Sequence, residues 1–257
     1  MTQANEWRSQ PPELLARRAN SFGTAAESYD AHRPDYPIDA VRWALEPVSA
    51  RPRTLDIGAG TGKLTGVLLA AGAQVTAVEP DAEMRAVLAR RYPEVSTMAG
   101  AAESSPLHDA SVDAVLAGQA FHWFDQARAF PEFARVLRPG GVVAAFWNSP
   151  DTSIEWVAEL NRIARSSVST APGMDDSLVG HPLFHPPNRA EFPHMQRRTA
   201  ESLTTTIGTH SHTLVLPRAE RAEVLDRIAT YLGGRPETAG GEFDFPLRTK
   251  VIRVVLR

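Results

Sequence analysis

From Thr54 to Asn148 short apolar runs alternate with segments of helical periodicity, the pattern of a parallel sheet covered on both faces. Thr54–Ile57, Gln74–Val78, Val95–Met98, Val112–Ala117 and Val142–Trp147 read as strands. Between them Leu64, Val67, Leu68 and Leu69 recur at helical spacing, as do Met84, Val87, Leu88 and Tyr92 before Pro93 stops the turn. Asp81 is placed to accept a hydrogen bond from an unpaired backbone N–H as the N-cap of the second of these helices, and Asp125 to cap a later one. Pro131 is expected to begin a new helical turn running to Leu137, because inside a helix it removes a hydrogen bond and clashes with the preceding turn. Arg138-Pro139-Gly140-Gly141 then ends that helix and turns the chain into the next strand.

Beyond Asn148 the pattern changes. Ile154–Arg165 reads as a helix, and the following stretch to Arg189, rich in Ser, Pro, Gly and His, reads as a lid. Glu191–Arg197 is expected to be a strand, Arg218–Leu232 an amphipathic helix stopped by Gly233-Gly234, and Lys250–Leu256 a terminal strand. No internal repeat interrupts this order.

Composition narrows the function more than the fold. The 257 residues, 43% hydrophobic and 22% charged, can bury a substantial core as one domain with an insertion. A formal charge of −3, with both signs mixed along the chain, supplies no basic stripe for nucleic acid or an anionic membrane, which directs attention to a small-molecule partner. Cysteine is absent, removing disulfides, thiolate metal sites and cysteine nucleophiles together. Glu6, Arg8, Glu13, Arg17 and Arg18 break up the first stretch, so neither a signal peptide nor a membrane span is expected, and a cytoplasmic location follows.

The strongest chemical signal is Leu55-Asp56-Ile57-Gly58-Ala59-Gly60-Thr61-Gly62. Gly58, Gly60 and Gly62 fall after a strand and before a helix, where missing β-carbons allow a sharp turn and a close approach by a ligand. Glu79 ends the next strand, roughly 20 residues on, where a carboxylate can accept the ribose hydroxyls of an adenosine-containing cofactor. A purely structural turn is the competing reading of such a loop, and the conjunction with Glu79 weakens it. A Walker phosphate loop fails: Gly62-Lys63 is followed by Leu64, and Ile57 stands at the required glycine. A dinucleotide fingerprint would carry Gly or Ala where Lys63 stands. Asp56 suits a cationic ligand better than a pyrophosphate, and S-adenosylmethionine carries a sulfonium and an ammonium.

That run, with Val78-Glu79 and Arg135-Val136-Leu137-Arg138-Pro139-Gly140-Gly141, resembles the ordered motifs of class I S-adenosylmethionine-dependent methyltransferases. The resemblance covers roughly Ser21 to Asn148 clearly and the remainder loosely. It implies an α/β fold: a doubly wound, seven-stranded Rossmann-like methyltransferase sheet, its last strand antiparallel, with a helical cap or lid. The expected layout is a single domain over 1–257, with an N-terminal cap to about residue 50, a cofactor-binding core over 51–148, a cap or lid insertion over 149–190, and C-terminal helices and closing strands over 191–257. Phe22-Gly23-Thr24-Ala25-Ala26-Glu27-Ser28-Tyr29-Asp30-Ala31-His32-Arg33-Pro34-Asp35-Tyr36-Pro37 and Gln119-Ala120-Phe121-His122-Trp123-Phe124-Asp125 resemble segments of the trans-aconitate methyltransferase-like branch.

Carried over residue by residue, the resemblance implies that Asp56, Gly58, Gly60 and Gly62 hold the methionine end, with Ala59 and Thr61 also at the cofactor. It places Glu79 at the ribose, with Pro80 beside it in the cofactor-binding set, Met84 beside the adenine, and Ala101, Ala102 and Glu103, from Gly100-Ala101-Ala102-Glu103, at the adenine edge. Gln119 joins this set, and Tyr29 and Arg33 close over the cofactor. For Met84 ordinary helix packing stands equally open.

Methyl transfer is an in-line displacement at an activated carbon, so alignment and desolvation supply much of the rate and a base is optional. His122, just past the fourth strand, is the candidate base, with loop bonding or substrate orientation as its alternatives. Trp123 is expected to wall the substrate site or to pack its own loop. Pro182, Pro186 and Pro187 spoil a metal-binding helix at His181 and His185, and His210 and His212 lack companion ligands, so no metal is expected. Arg189, Arg197 and Arg198 are open to recognising an acidic substrate or to being scattered surface charges. The leading expectation is a methyltransferase acting on a small-molecule acceptor, by O-methylation of a carboxylate or hydroxyl. The alternatives are an NAD(P)-dependent oxidoreductase and a catalytically silent cofactor-binding protein.

Overall fold

The computed structural model describes residues 34–165, 180–208, 213 and 216–257. Tyr29, Arg33, His210, His212 and most of the expected lid lie outside the described residues. The elements run α1 (Ile38–Leu45), β1 (Arg53–Ile57), α2 (Lys63–Ala70), β2 (Gln74–Val78), α3 (Ala82–Arg91), β3 (Ser96–Met98), β4 (Val112–Gly118), a 3-10 turn at Phe121–Trp123, α4 (Gln126–Val136), β5 (Leu137–Pro150), α5 (Glu155–Ile163), β6 (Asn188–Arg198), α6 (Ala200–Gly208), α7 (Arg218–Gly233) and β7 (Phe243–Val255).

The strands form one seven-stranded sheet in the order β3-β2-β1-β4-β5-β7-β6. Neighbours among the first five are parallel. β7 runs against β5: the Leu256 N–H donates to the Gly141 carbonyl at 2.8 Å and the Asp151 N–H to the Pro246 carbonyl at 3.0 Å, so residue numbers rise along one strand as they fall along the other. This is the expected α/β sheet with its antiparallel closing strand.

Strand alternation explains why both faces are covered. Val115, Ala117, Val143, Ala145 and Trp147 point into one buried cluster with Phe121, Phe130 and Phe133. Ala114, Leu116, Val142, Ala144 and Phe146 point into the other with Val41, Leu64 and Leu68. Asp81 caps α3 by accepting from the Glu83 and Met84 N–H groups at 2.9 Å, and Asp125 caps α4 by accepting from Ala127 at 3.2 Å.

The chain divides into two compact units. Among the described residues the larger comprises 35–148, 180–192 and 249–257, and holds both clusters above. The smaller comprises 34, 149–165, 193–208, 213 and 216–248. Its own core joins Val157 and Leu160 of α5, Leu203 and Ile207 of α6, Val224, Ile228 and Leu232 of α7, and Phe243, Phe245 and Leu247 of β7.

Several expectations are corrected. Pro131 lies inside a continuous α4 rather than opening a new turn. Pro131 and Ala127, whose carbonyl loses its helical donor, are both exposed, so water can serve that carbonyl, while Ala129, Phe130, Phe133 and Val136 anchor the opposite face. Arg138–Gly141 is not a turn between helix and strand but part of β5. Pairing jumps from Val112↔Leu137 to Ala114↔Val142, so this segment bulges, with Gly140 at φ 74°. The terminal strand begins at Phe243, well before Lys250, and α1 and α6 were not foreseen.

Candidate active site

Parallel strands carry their successive loops to one edge. Ile57 pairs with Val78, Val78 with Met98, and Gly118 with Phe146, so the segments after β1, β2, β3 and β4 gather at the C-terminal edge of the sheet. The strand order reverses direction between β1 and β4, where such sheets open a crevice.

The glycine loop folds back on β2. Val78 carbonyl accepts from the Gly58 N–H at 2.8 Å and the Ala59 N–H at 3.2 Å, and the Ala59 carbonyl accepts from Gly62 at 2.9 Å. Gly60 has φ 57° and nothing within 4 Å of where a Cβ would stand, so the loop presents an open cradle there. At Gly58 a Cβ would lie 2.8 Å from the Ala120 Cβ, which brings the loop after β4 directly against the loop after β1. Gly62 precedes α2 without any side-chain cap, in contrast to the aspartate caps of α3 and α4.

Two carboxylates organise this edge. Glu79, 7% exposed, accepts from the Gly60 N–H through Oε2 at 2.8 Å and from the Asp81 N–H through Oε1 at 2.9 Å. Arg85 donates to the Glu79 and Pro80 carbonyls at 2.8 and 2.9 Å. Burial pushes the Glu79 carboxyl above its ordinary value, against the pull of its Asp81 and Gly60 hydrogen bonds. Asp56 is wholly buried and accepts from the Thr65 hydroxyl at 2.6 Å through Oδ2. Desolvation pushes its carboxyl up to about 7, opposed by the Thr65 hydroxyl and reinforced by the nearby Glu79 charge. Its Oδ1 and the Thr61 hydroxyl are buried with no hydrogen-bond partner among the described residues.

After β3, Ala102 is buried, Ala101 is exposed and Glu103 Oε1 accepts from the Asp125 N–H at 2.7 Å. Ser105 is tied to Glu132 Oε1 through its N–H at 2.8 Å and its hydroxyl at 2.7 Å. The Arg135 guanidinium holds the Glu132 carboxyl down at about 2, with Ser105 assisting. Thus the Arg135–Gly141 motif contributes its first residue to fixing the 101–105 loop. Met84 is buried on α3.

After β4, Gln119 takes φ 54°, a left-handed conformation unusual for a residue with a side chain. Its N–H donates to the Phe146 carbonyl at 2.8 Å and its side-chain amide to the Asn148 carbonyl at 2.8 Å. Phe121, 1% exposed, plugs the turn into the core beside Trp147, Phe130 and Phe133, with ring centroids at 6.3, 6.0 and 6.4 Å. That anchor leaves His122 and Trp123 half-buried, their rings 4.8 Å apart.

Four contributors escaped sequence reasoning. Thr65 holds Asp56. Asn148 donates to the Asp35 carbonyl at 3.1 Å and accepts from Thr249 at 2.5 Å. Lys63 pairs with Asp35 at 3.2 Å, and Tyr36 reaches Gly118. Thr65 stands one helical turn beyond the glycines, the one position whose spacing hinted at its role. Arg197 is already paired with Glu242 and Asp244, and Arg198 with Gln196.

The family model described as methyltransferase domain matches residues 55–145. An uncharacterized methyltransferase of Mycobacterium tuberculosis is 40% identical over 237 residues, 92% of this chain and 96% of its own. A malonyl-acyl-carrier-protein O-methyltransferase of Pectobacterium atrosepticum is 36% identical over 49% of this chain and 51% of its own. The solved structure of a protein described as a type II methyltransferase from Anaeromyxobacter dehalogenans matches with TM-score 0.66 and 29% identity, over 87% of this chain and 97% of that one. The chain belongs to the class I S-adenosylmethionine-dependent methyltransferases. Membership implies S-adenosylmethionine as methyl donor and sets aside the dehydrogenase alternative. Among the described residues no helix is long and apolar enough to cross a membrane.

Proposed function

We propose that the protein binds S-adenosylmethionine along the β1–β4 edge and methylates an oxygen of a small-molecule acceptor, a carboxylate or hydroxyl, as a member of the trans-aconitate methyltransferase-like branch. The observation that carries the cofactor assignment is the pair of orphaned buried oxygens, Asp56 Oδ1 and Thr61 Oγ1, beside the open cradle at Gly60. An acceptor pair of this kind suits a ligand with an ammonium group, and burying it unpaired is costly, so a donor arriving there is stabilised. The residues present fit the group.

In this reading Asp56, Gly58, Ala59, Gly60, Thr61 and Gly62 hold the methionine end. Glu79 and Pro80 serve the ribose, Glu79 accepting ribose hydroxyls with the lone pairs that its two backbone donors leave free. Met84, Ala101, Ala102 and Glu103 surround the adenine, Gln119 frames the reacting end, and Tyr29 and Arg33 close over the bound cofactor. When bound, S-adenosylmethionine supplies a methyl carbon already activated by the sulfonium. His122 and Trp123 line the acceptor side: Trp123 excludes water, and His122 removes the proton of a hydroxyl or orients an acceptor that is already ionised.

The relative named as an O-methyltransferase supports oxygen as the acceptor atom. Incubating the chain with methyl-labelled S-adenosylmethionine and a fractionated metabolite extract, followed by mass spectrometry, tests the proposal. One labelled methyl per product is expected, on an ester or ether oxygen. Label confined to nitrogen or carbon overturns the O-methylation reading.

A further inference from the structure

We propose that Tyr36 is a positioning residue of the methyl-transfer site, whose hydroxyl faces the sulfonium end of the cofactor and favours the charged donor over the uncharged product. The inference rests on the S-adenosylmethionine reading above and assigns the residue that distinguishes its two nucleosides.

The order of strands along the edge sets the direction of the ligand. Glu79 ends β2, the glycine loop follows β1, and Gly118 ends β4, with β1 between the other two. A cofactor with its ribose at Glu79 and its methionine end at the glycine loop therefore directs its reactive sulfur toward the β1–β4 side, where Gly58 and Ala120 meet. Tyr36 arrives at that side from the segment before α1. A Cβ at Gly118 would lie 2.6 Å from the Tyr36 hydroxyl oxygen and 3.0 Å from Cζ, so position 118 is a glycine because the phenol occupies that space.

The hydroxyl is also held in place before any ligand arrives. Tyr36 is 7% exposed, and its ring meets Phe146 edge-on at 5.7 Å. The preceding residue is pinned twice: Asn148 donates to the Asp35 carbonyl at 3.1 Å, and Lys63, the first residue of α2, pairs with the Asp35 carboxylate at 3.2 Å. A fixed neutral oxygen attracts the polarised C–H groups around a sulfonium and gains nothing from a neutral thioether. Contacts of that type contribute about 0.5–1 kcal/mol, or roughly 2- to 5-fold in affinity.

Isothermal titration of the whole chain with S-adenosylmethionine and with S-adenosylhomocysteine tests this. Tyr36→Phe, which keeps the ring packing, is expected to weaken S-adenosylmethionine roughly 2- to 5-fold while leaving S-adenosylhomocysteine unchanged. Gly118→Ala, which displaces the hydroxyl, is expected to weaken S-adenosylmethionine relative to S-adenosylhomocysteine in the same way. A merely structural Tyr36 would shift both ligands together or neither, and either result overturns the inference while leaving the cofactor reading intact. Failure of the parent chain to bind either nucleoside overturns both.

Discussion

Gly60 and Glu79 sit on different strands' loops and are joined by one hydrogen bond, N–H to Oε2 at 2.8 Å, with Oε1 of the same carboxylate taking the Asp81 N–H at 2.9 Å. The acid expected to bind ribose thus also sets the shape of the glycine loop that receives the rest of the cofactor. Both oxygens accept, which only a carboxylate can do. Glu79→Gln puts an NH₂ group against one of the two backbone donors, leaving it unsatisfied at a cost of about 1–3 kcal/mol. Thermal unfolding is expected to show that loss even without ligand. A Glu79→Gln protein as stable as the parent would mean the clasp contributes nothing.

Glycine 60 separates backbone strain from ligand contact when set against Gly72. Both have positive φ, 57° and 86°, and neither has an atom within 4 Å of a would-be Cβ. Gly60→Ala and Gly72→Ala should each lose about 1–2 kcal/mol of stability from the left-handed backbone. Only the change at Gly60 should weaken S-adenosylhomocysteine binding, and Gly60→Val more sharply. Equal affinity in the two alanine variants, measured by titration, would remove Gly60 from the ligand surface.

Asp56 makes apo stability depend on pH with a definite sign. Its folded-state carboxyl titrates at about 7, above its ordinary 3.8, so the folded chain binds the proton more tightly than the unfolded chain. The group's contribution is complete below about 3.8 and is lost as pH rises through about 7. Asp56→Asn keeps an acceptor for Thr65 without the titration, so its melting temperature should gain on the parent's between pH 5 and pH 8. A constant difference across that range contradicts the assignment. With a cationic ligand the sign is opposite: S-adenosylmethionine affinity of the parent should rise from pH 6 to pH 8, and Asp56→Asn should flatten the rise.

How much of this was legible in the residues follows from where each signal lives. β2 was read at Gln74–Val78 to the residue, and β1 to within one, because their buried apolar positions, Leu55 and Ile57 in β1 and Ala77 and Val78 in β2, are closely bounded by Pro52 and Gly58 and by Gly72 and Pro80. The aspartate caps were readable since one side chain forms the whole signal. Pro131 misled because its local rule assumes the freed carbonyl is buried, and Ala127 is exposed. β5 and β7 were read short because their outer halves, such as Arg138–Gly141 and Phe243–Thr249, mix charge, Gly and Pro with apolar positions. Within the site, Asp56 and Glu79 stood out, whereas Tyr36, Asn148 and Lys63 act through contacts to residues distant in sequence, which periodicity does not record.

His122 is expected to affect chemistry rather than cofactor affinity. It lies on the turn that Phe121 anchors, just past the fourth strand. With the identified acceptor, His122→Ala should slow single-turnover methyl transfer roughly 100-fold or more if it is the base. The defect should shrink for an acceptor already ionised. An unchanged rate and pH profile would leave alignment and desolvation as the source of catalysis.

Isothermal titration of the whole chain with S-adenosylhomocysteine and, separately, with NAD tests most directly whether the sheet edge running from Glu79 after β2, through the glycine loop after β1, to the β4 side receives S-adenosylmethionine. One S-adenosylhomocysteine site per chain, no NAD heat, and an affinity about 10- to 100-fold weaker in Glu79→Ala from the lost charge-assisted hydrogen bonds are expected. Binding of NAD without S-adenosylhomocysteine, or a Glu79→Ala protein that stays folded and binds as the parent does, would contradict it.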